Sequence, residues 1–598
     1  MTEVKLVDDY FRLRSSFAQR NEGEAFPVTM AEIASALYCT NRNAKLILTK
    51  MEEQGWIQFV SGRGRGHMSA LTFLKDKESL LQQEAQELVR VGETEAAFQL
   101  VKQFGDSHAT ARLVSWLSGY FGYRVEENSD QYVETLTLPI YRPITTLDPA
   151  AAVYAFDTHM VKQIFSTLVE YDDEAETVVG QLAHHWKSNA AATEWTFYVR
   201  KGVYFHHGRE LTAADVAYSF RRLGQPSSRQ HWLVQQIEAV EVVARYVVRF
   251  HLTHPNHLFL LYVGSAPASI VPQDVYESGN RVEQSLPIGC GPYRVAKYTA
   301  GMCVLDAFAQ HFQGRPFMDQ IQIISMPEKE RQHMFEPRAD VLMVHTGEAA
   351  RQEVHNWNEA GRVSGSSLLT VNLNKQGIVA NHDFRRALSG LINRQRMVAE
   401  LGEPRLFPCD SFMEAASGPV LYESGADRSV SVDFLKRSGY AGETLHLFTY
   451  ERHAPDVYWL QREYAAYGVM LAVHIVSWDD MLQDTYIAQA DFILFEAVSS
   501  EGIIRQLEYY TSTSSFLRAH MNKSLRDEAD RCVACVQAER EKEAQTRMLQ
   551  HMENRLKEEH AVIFLTYKTV GVTSHPALQG VRVSPRGWVD FKNVWFES

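Results

Sequence analysis

The sequence predicts a multidomain protein: a small α+β module of three helices and a β-hairpin, a helical connector, and a large mixed α/β body of two lobes. Three observations lead there. A chain of 598 residues is too long for one hydrophobic core and divides into several. Residues 1–74 compress helix, helix, short turn, helix and hairpin into one compact run. From Glu134 onward, β-branched and aromatic runs alternate with helical spacing and Gly/Pro turns, the pattern of mixed sheets covered by helices. The expected units are 1–74, 75–133 and 134–598.

In the first unit, Val4 to Arg20 has helical apolar spacing through Leu6, Tyr10, Phe11, Leu13 and Phe17, and Pro27 stops any continuation. Thr29-Met30-Ala31-Glu32 is a capping box that opens a second helix. The chain breaks at Tyr38-Cys39, and Thr40 is the N-cap of a third helix ending before Gly55, a C′ residue. Ala44, Leu48 and Met51 share one face of that helix. Thr40, Asn41, Arg42, Lys45 and Thr49 offer donors on the other, with no carboxylate near its N-terminal end. Two strand-like runs, 56–60 and 67–74, flank the tip Ser61-Gly62-Arg63-Gly64-Arg65-Gly66, where Arg63 and Arg65 can lie along a phosphate backbone or enter a minor groove. This order is that of a winged helix-turn-helix, and double-stranded DNA is the expected partner. The rival reading is a module that contacts another protein.

Charge is compatible with the DNA reading once it is resolved along the chain. The whole sequence carries -13, but residues 1–74 hold nine Lys/Arg against eight Asp/Glu, a sum of +1 that leaves -14 for the rest. Contacted phosphates respond mainly to charges within a Debye length of roughly 8–10 Å. MTEVKLVDDYFRLR lacks the basic-then-apolar form of an export signal, and no window reaches about 18 apolar residues, so a cytoplasmic protein with no membrane span is expected. Its six cysteines are then expected to be reduced. In the connector, Leu80, Leu81, Leu88 and Val91 define the expected apolar face of a helix packed in cis.

The body carries ordered motifs. Thr146-Leu147-Asp148-Pro149 follows the strand ETLTLPIY, and Ile164 to Tyr171 leads to Gln181-Leu182-Ala183. Trp195 to Phe220 is the longest stretch, and Gly289-Cys290-Gly291-Pro292-Tyr293 and Asn372-Leu373-Asn374-Lys375 with Phe384-Arg385-Arg386-Ala387-Leu388 follow. In that order they resemble the family 5 solute-binding proteins, the peptide, nickel and sugar receptors of ABC importers. The resemblance implies a two-lobed α/β fold of the type II periplasmic-binding-protein kind. With the N-terminal module, the whole architecture resembles the SgrR-type transcription regulators. That implies a regulator whose DNA affinity answers to a small solute such as a sugar phosphate, an oligosaccharide or a peptide-like molecule. The alternative is a cytosolic solute-binding protein with a protein-contacting N-terminal module.

For the ligand, Arg142 and Thr145 beside the Thr-Leu-Asp-Pro motif are expected at the cleft, where an arginine suits a phosphate or carboxylate. Peptide-binding members hold the peptide amine with an aspartate in Trp-x-x-Asp-Tyr. The matching position here falls at about Ser500, so that contact is missing, and Glu496 or Glu501 can take its place for a cation. No cofactor, metal or catalytic residue is expected. His184-His185 and His206-His207 point to opposite strand faces or into a family motif, and Cys532-Val533-Ala534-Cys535 has no second pair. Neither H-E-x-x-H nor G-x-S-x-G nor a P-loop occurs.

Overall fold

The computed structural model describes residues 3–62, 68–128, 131–140, 144–172, 175–277, 286–327, 342–345, 358–412, 428–498, 502–582 and 588–597. The N-terminal module holds α1 (Glu3–Ser16), β1 (Phe26–Val28), α2 (Met30–Ala36), α3 (Asn41–Glu53), β2 (Ile57–Val60) and β3 (Ser69–Phe73). Its three strands are antiparallel in the order β1-β3-β2. Helix α1 stops short of the expected Arg20. The Arg14 guanidinium donates to the Arg20 carbonyl at 2.9 Å and pairs with Glu22, folding the chain back on the helix end. Strand β1 was not expected around Pro27; it occupies the sheet edge, where the missing proline N–H costs no ladder bond.

The capping box is complete. Thr29 Oγ1 accepts from the Glu32 N–H and the Glu32 carboxylate accepts from the Thr29 N–H at 2.7 Å. Tyr38 turns the chain with φ +49, a left-handed conformation that costs a non-glycine residue about 1 kcal/mol. Helix α3 ends as the sequence predicts: Gly55 has φ +69, its N–H reaches the Glu52 carbonyl, and the Trp56 N–H reaches the Met51 carbonyl. Tyr10, Phe11, Leu13, Ile33, Ala44, Leu48, Met51 and Phe73 close the core beneath.

The connector consists of α4 (Lys77–Val91), α5 (Thr94–Phe104) and α6 (Ala109–Tyr120), and it ends in strand β4 (Gly122–Asn128). Helix α4 buries Leu80, Leu81, Ala85 and Val89, leaving Val91 exposed, so its face is rotated from the expected one. Ala85 and Val89, one turn apart, are both fully buried in the core shared with α5 and α6. Strand β4 pairs antiparallel with β5 (Gln131–Ile140), so the body's sheet starts at Gly122, ahead of Glu134. Its sequence, GYRVEEN, is polar because it forms a sheet edge.

That sheet belongs to lobe 1. It runs Tyr293–Thr299, Met302–Ala307, Gln320–Ser325, β5, β4, with only Gln320–Ser325 and β5 parallel. A four-stranded antiparallel sheet over Ala183–Leu252 stands beside it. Lobe 2 is built on a sheet in which strands Asn358–Val371 and Val562–Ser574 pair antiparallel along most of their lengths. The chain enters lobe 2 on the first and leaves on the second. It then returns to lobe 1, where Leu578, Val589, Phe591 and Val594 join the core of Leu136, Ile164 and Tyr293. The segment after Asn381 forms two helices, His382–Leu391 and Arg394–Leu401, the second capped by the Asn393 side chain.

Family motifs acquire physical reasons. A Cβ on Gly289 or Gly291 would lie 2.1 Å from the Ile164 oxygen or 2.5 Å from its carbonyl carbon, so this turn tolerates only glycine against Ile164. Asp148 of the Thr-Leu-Asp-Pro motif pairs with Arg222. The N-terminal module, the connector and lobe 1 share one continuous core, to which Met302, Val304, Ile324 and Met326 contribute from the lobe 1 sheet.

Candidate functional site

Two places combine accessible chemistry with a rigid frame: the outer side of α3, and a cavity between the lobes. On α3, Asn41, Arg42, Lys45 and Thr49 are all exposed. Thr40 Oγ1 accepts from the Asn43 N–H at 3.3 Å, so its hydroxyl caps the helix. The Thr49 hydroxyl donates to the Lys45 carbonyl at 3.0 Å, which leaves only its lone pairs for a partner. Glu52 holds the helix to the hairpin by accepting the Phe59 N–H at 2.7 Å. Two exposed side chains escaped sequence reasoning: Tyr38, 86% exposed in the turn before α3, and Leu46, 58% exposed on α3 itself. Arg63 and Arg65 lie outside the described residues.

The cavity, about 760 Å³, is walled by both lobes and by the connector. Lobe 1 supplies Ile140, Thr145, Tyr154, Ser325, Met326 and Trp588. Lobe 2 supplies Tyr450, Arg452, Trp478, Phe495, Glu496, Arg505, Glu508, Tyr509 and Phe516, and the α4–α5 turn supplies Gly92, Glu93, Thr94 and Glu95. Trp478 centres an aromatic cluster, 5.1 Å from the rings of both Tyr154 and Tyr450 and 5.9 Å from Phe516.

The expected ligand residues fare unevenly. Thr145 lines the cavity, but its hydroxyl and N–H are held by the buried Asp157 carboxylate, the N–H at 3.1 Å. Glu496 lines it as well, with its carboxylate 3.2 Å from Arg452 and its side chain only 5% exposed. It therefore meets an internal cation first. Arg505 pairs likewise with Glu508. Arg142, Ser500 and Glu501 lie outside the described residues.

Behind the cavity stands a buried polar chain that no sequence motif announced. Tyr450 Oη lies 2.9 Å from His453 Nε2, and His453 Nδ1 lies 3.1 Å from Lys568 Nζ. Lys568 and Arg405 both reach Asp456, at 3.2 and 2.6 Å. Burial works to raise the Asp456 carboxyl, and the two cations overcome it and hold it well below the usual carboxylate range. Burial lowers both Lys568 and His453, the latter keeping a neutral ring.

The histidine and cysteine pairs differ in their surroundings: His184, His185 and Cys535 are exposed, whereas His206 is partly buried. His206 bonds the Gly291 carbonyl at 3.1 Å and burial pushes it down to about 4, while His207 faces Asp274. Cys532 lies 3.5 Å from the Met548 carbonyl. Among the described residues no group of three or more His, Cys, Asp or Glu is placed to hold a metal, and no helix is long and apolar enough to cross a membrane.

Comparison with known proteins gives these places a family. The model for bacterial extracellular solute-binding proteins, family 5 (middle region), matches residues 177–492, and the model for the sugar transport-related sRNA regulator N-terminal region matches 5–124. The uncharacterized protein YhjP of Bacillus subtilis is 30% identical, covering 99% of this chain and 100% of its own length. The HTH-type transcriptional regulator SgrR of Photorhabdus laumondii is 27% identical over 100% of this chain and 99% of its own. Among solved structures, a dipeptide-binding protein from Pseudoalteromonas sp. SM9913 with Met-Leu has a TM-score of 0.67 at 16% identity, covering 77% of this chain and all of its own. AgaA from A. tumefaciens R10 with agropinic acid has 0.66 at 17%, covering 78% and 99%. These two likenesses show the fold. The chain belongs to the family 5 solute-binding proteins, in the SgrR-type arrangement that sets an N-terminal regulator domain before the solute-binding body.

Proposed function

We propose that this protein is a cytoplasmic transcription regulator in which solute bound between the lobes changes how α3 engages duplex DNA. It works by binding, and it carries out no reaction on the solute. The observation that carries the coupling is the position of the α4–α5 turn. Gly92–Glu95 form part of the cavity wall, yet they belong to the helices whose core is continuous with the DNA-reading module. A ligand that draws the lobes together has differential contacts with open and closed states, and this turn feels the difference directly.

The turn is fitted to lobe 1 without slack. A Cβ on Gly92, which has φ +93, would lie 2.7 Å from Met302 Cβ, and one on Gly301 would lie 1.7 Å from the Gly92 oxygen. Arg42, Lys45 and Asn41 meet phosphates and base edges, and Arg63 and Arg65 extend the contact along the backbone. For the solute, the described lining favours an uncharged or cationic ring-bearing molecule, such as an oligosaccharide or peptide-like solute. Both lining arginines, Arg452 and Arg505, already face carboxylates, and the other charged groups there, Glu93, Glu95, Glu451 and Asp479, are acidic. Rings around Trp478 supply stacking faces. The phosphate reading rests on Arg142.

The test uses the full chain. Native mass spectrometry identifies the solute that co-purifies, and fluorescence anisotropy measures binding to the duplex upstream of the gene with and without it. The expected result is salt-dependent binding, lost in Arg42→Ala/Lys45→Ala, whose affinity moves with the solute. Gly92→Ala, whose Cβ presses on Met302, should reduce the effect of solute on DNA affinity, with thermal melting checking that the chain stays folded. A solute that binds without moving DNA affinity would overturn the proposal.

A further inference from the structure

The third helix exposes a leucine that folding does not explain. Leu46 is 58% exposed, while its neighbours Ile47 and Leu48 are buried in the module core. At about 100° per residue, Leu46 lies within roughly 30° of the direction opposite the buried strip of Ala44, Leu48 and Met51. It therefore stands near the outermost line of the helix, between Arg42 and Lys50 one turn to either side and beside Lys45 and Thr49. Every one of these neighbours is a cation or a hydroxyl, and none is a carboxylate.

A protein partner would meet this leucine through three exposed positive charges, Arg42, Lys45 and Lys50, an arrangement suited to phosphates. In a major groove the same arrangement fits. Flanking cations meet the backbone, and the apolar tip meets the one apolar group that base edges present there, the thymine C5 methyl. We infer that Leu46 is a specificity-determining residue that reads a thymine methyl in the operator. This rests on the DNA-binding reading above and goes beyond it, because it names the base and the atom.

The experiment separates the two. Duplexes are selected from a random-sequence pool by the full chain, and each thymine of the selected site is replaced in turn by uracil, which differs only by the methyl. At one or two positions uracil should weaken wild-type binding roughly four-fold, the value of one buried methyl-sized group. Leu46→Ala should bind thymine and uracil duplexes equally, with unchanged salt dependence and thermal melting, and Leu46→Met should restore the discrimination. A selected site insensitive to uracil at every position, or discrimination that persists in Leu46→Ala, overturns the Leu46 inference while leaving DNA binding intact. Failure to select any duplex overturns both.

Discussion

At the residue scale, the exposed cations of α3 and one buried histidine make opposite kinds of prediction. Arg42→Ala and Lys45→Ala each remove one phosphate-neutralising charge without touching the core. Each should weaken binding across sequences and reduce the slope of log affinity against log salt by about 1, read by anisotropy titrations at several salt concentrations. His159 is fully buried beside Phe156, Trp588 and Phe591, and burial lowers it to about 3. In the unfolded chain it titrates near 6.5. Between those values the unfolded state binds the extra proton, so stability is full above pH 6.5 and falls as the pH drops. At pH 5 this one site should cost about 2 kcal/mol, and His159→Phe should flatten the decline in melting temperature between pH 7 and pH 5. The sequence shows the α3 donors because they depend on local spacing. It does not show that the Thr145 hydroxyl is taken by Asp157, or that Glu496 faces Arg452, because those partners meet only in the fold.

At the element scale, local chemistry was the most legible layer. The Thr29–Glu32 box, the Thr40 cap and the Gly55 terminus all depend on residues within one turn, and all stand where the sequence puts them. Thr29→Ala should cost about 1 kcal/mol of local stability, seen as a roughly five-fold faster amide exchange in α2 with little change in the body. Faces and edges were less legible. The α4 strip follows Ala85 and Val89 because three helices and a sheet compete for it, and β1 and β4 are short or polar edge strands whose pairing is decided by distant partners.

At the scale of the whole molecule, ordered motifs made the two-lobed body readable, whereas the polar chain behind the cavity was not. Arg405, His453, Asp456 and Lys568 are scattered over more than a hundred positions and carry no pattern. Asp456→Asn would leave Arg405 and Lys568 buried without their counter-charge. The expected loss is about 3–5 kcal/mol, measured by denaturant unfolding of the body, with Arg405→Met/Asp456→Leu/Lys568→Met recovering much of it. The continuous core has a similar reach: a fragment ending at residue 121 should expose the apolar faces that meet Met302, Val304, Ile324 and Met326, and it should associate or melt earlier than the full chain.

The paired strands Asn358–Val371 and Val562–Ser574 carry the chain out to lobe 2 and back, while the module that holds α3 shares its core with lobe 1. In the proposed regulator, a protein seated on its operator would have its first lobe anchored to the double helix like a stator. The second lobe hangs on that two-stranded strap and also rests on lobe 1 through a shared core, where the Gln537 carbonyl accepts the His257 N–H and its amide donates to Tyr262, so any swing driven by solute must work against those contacts.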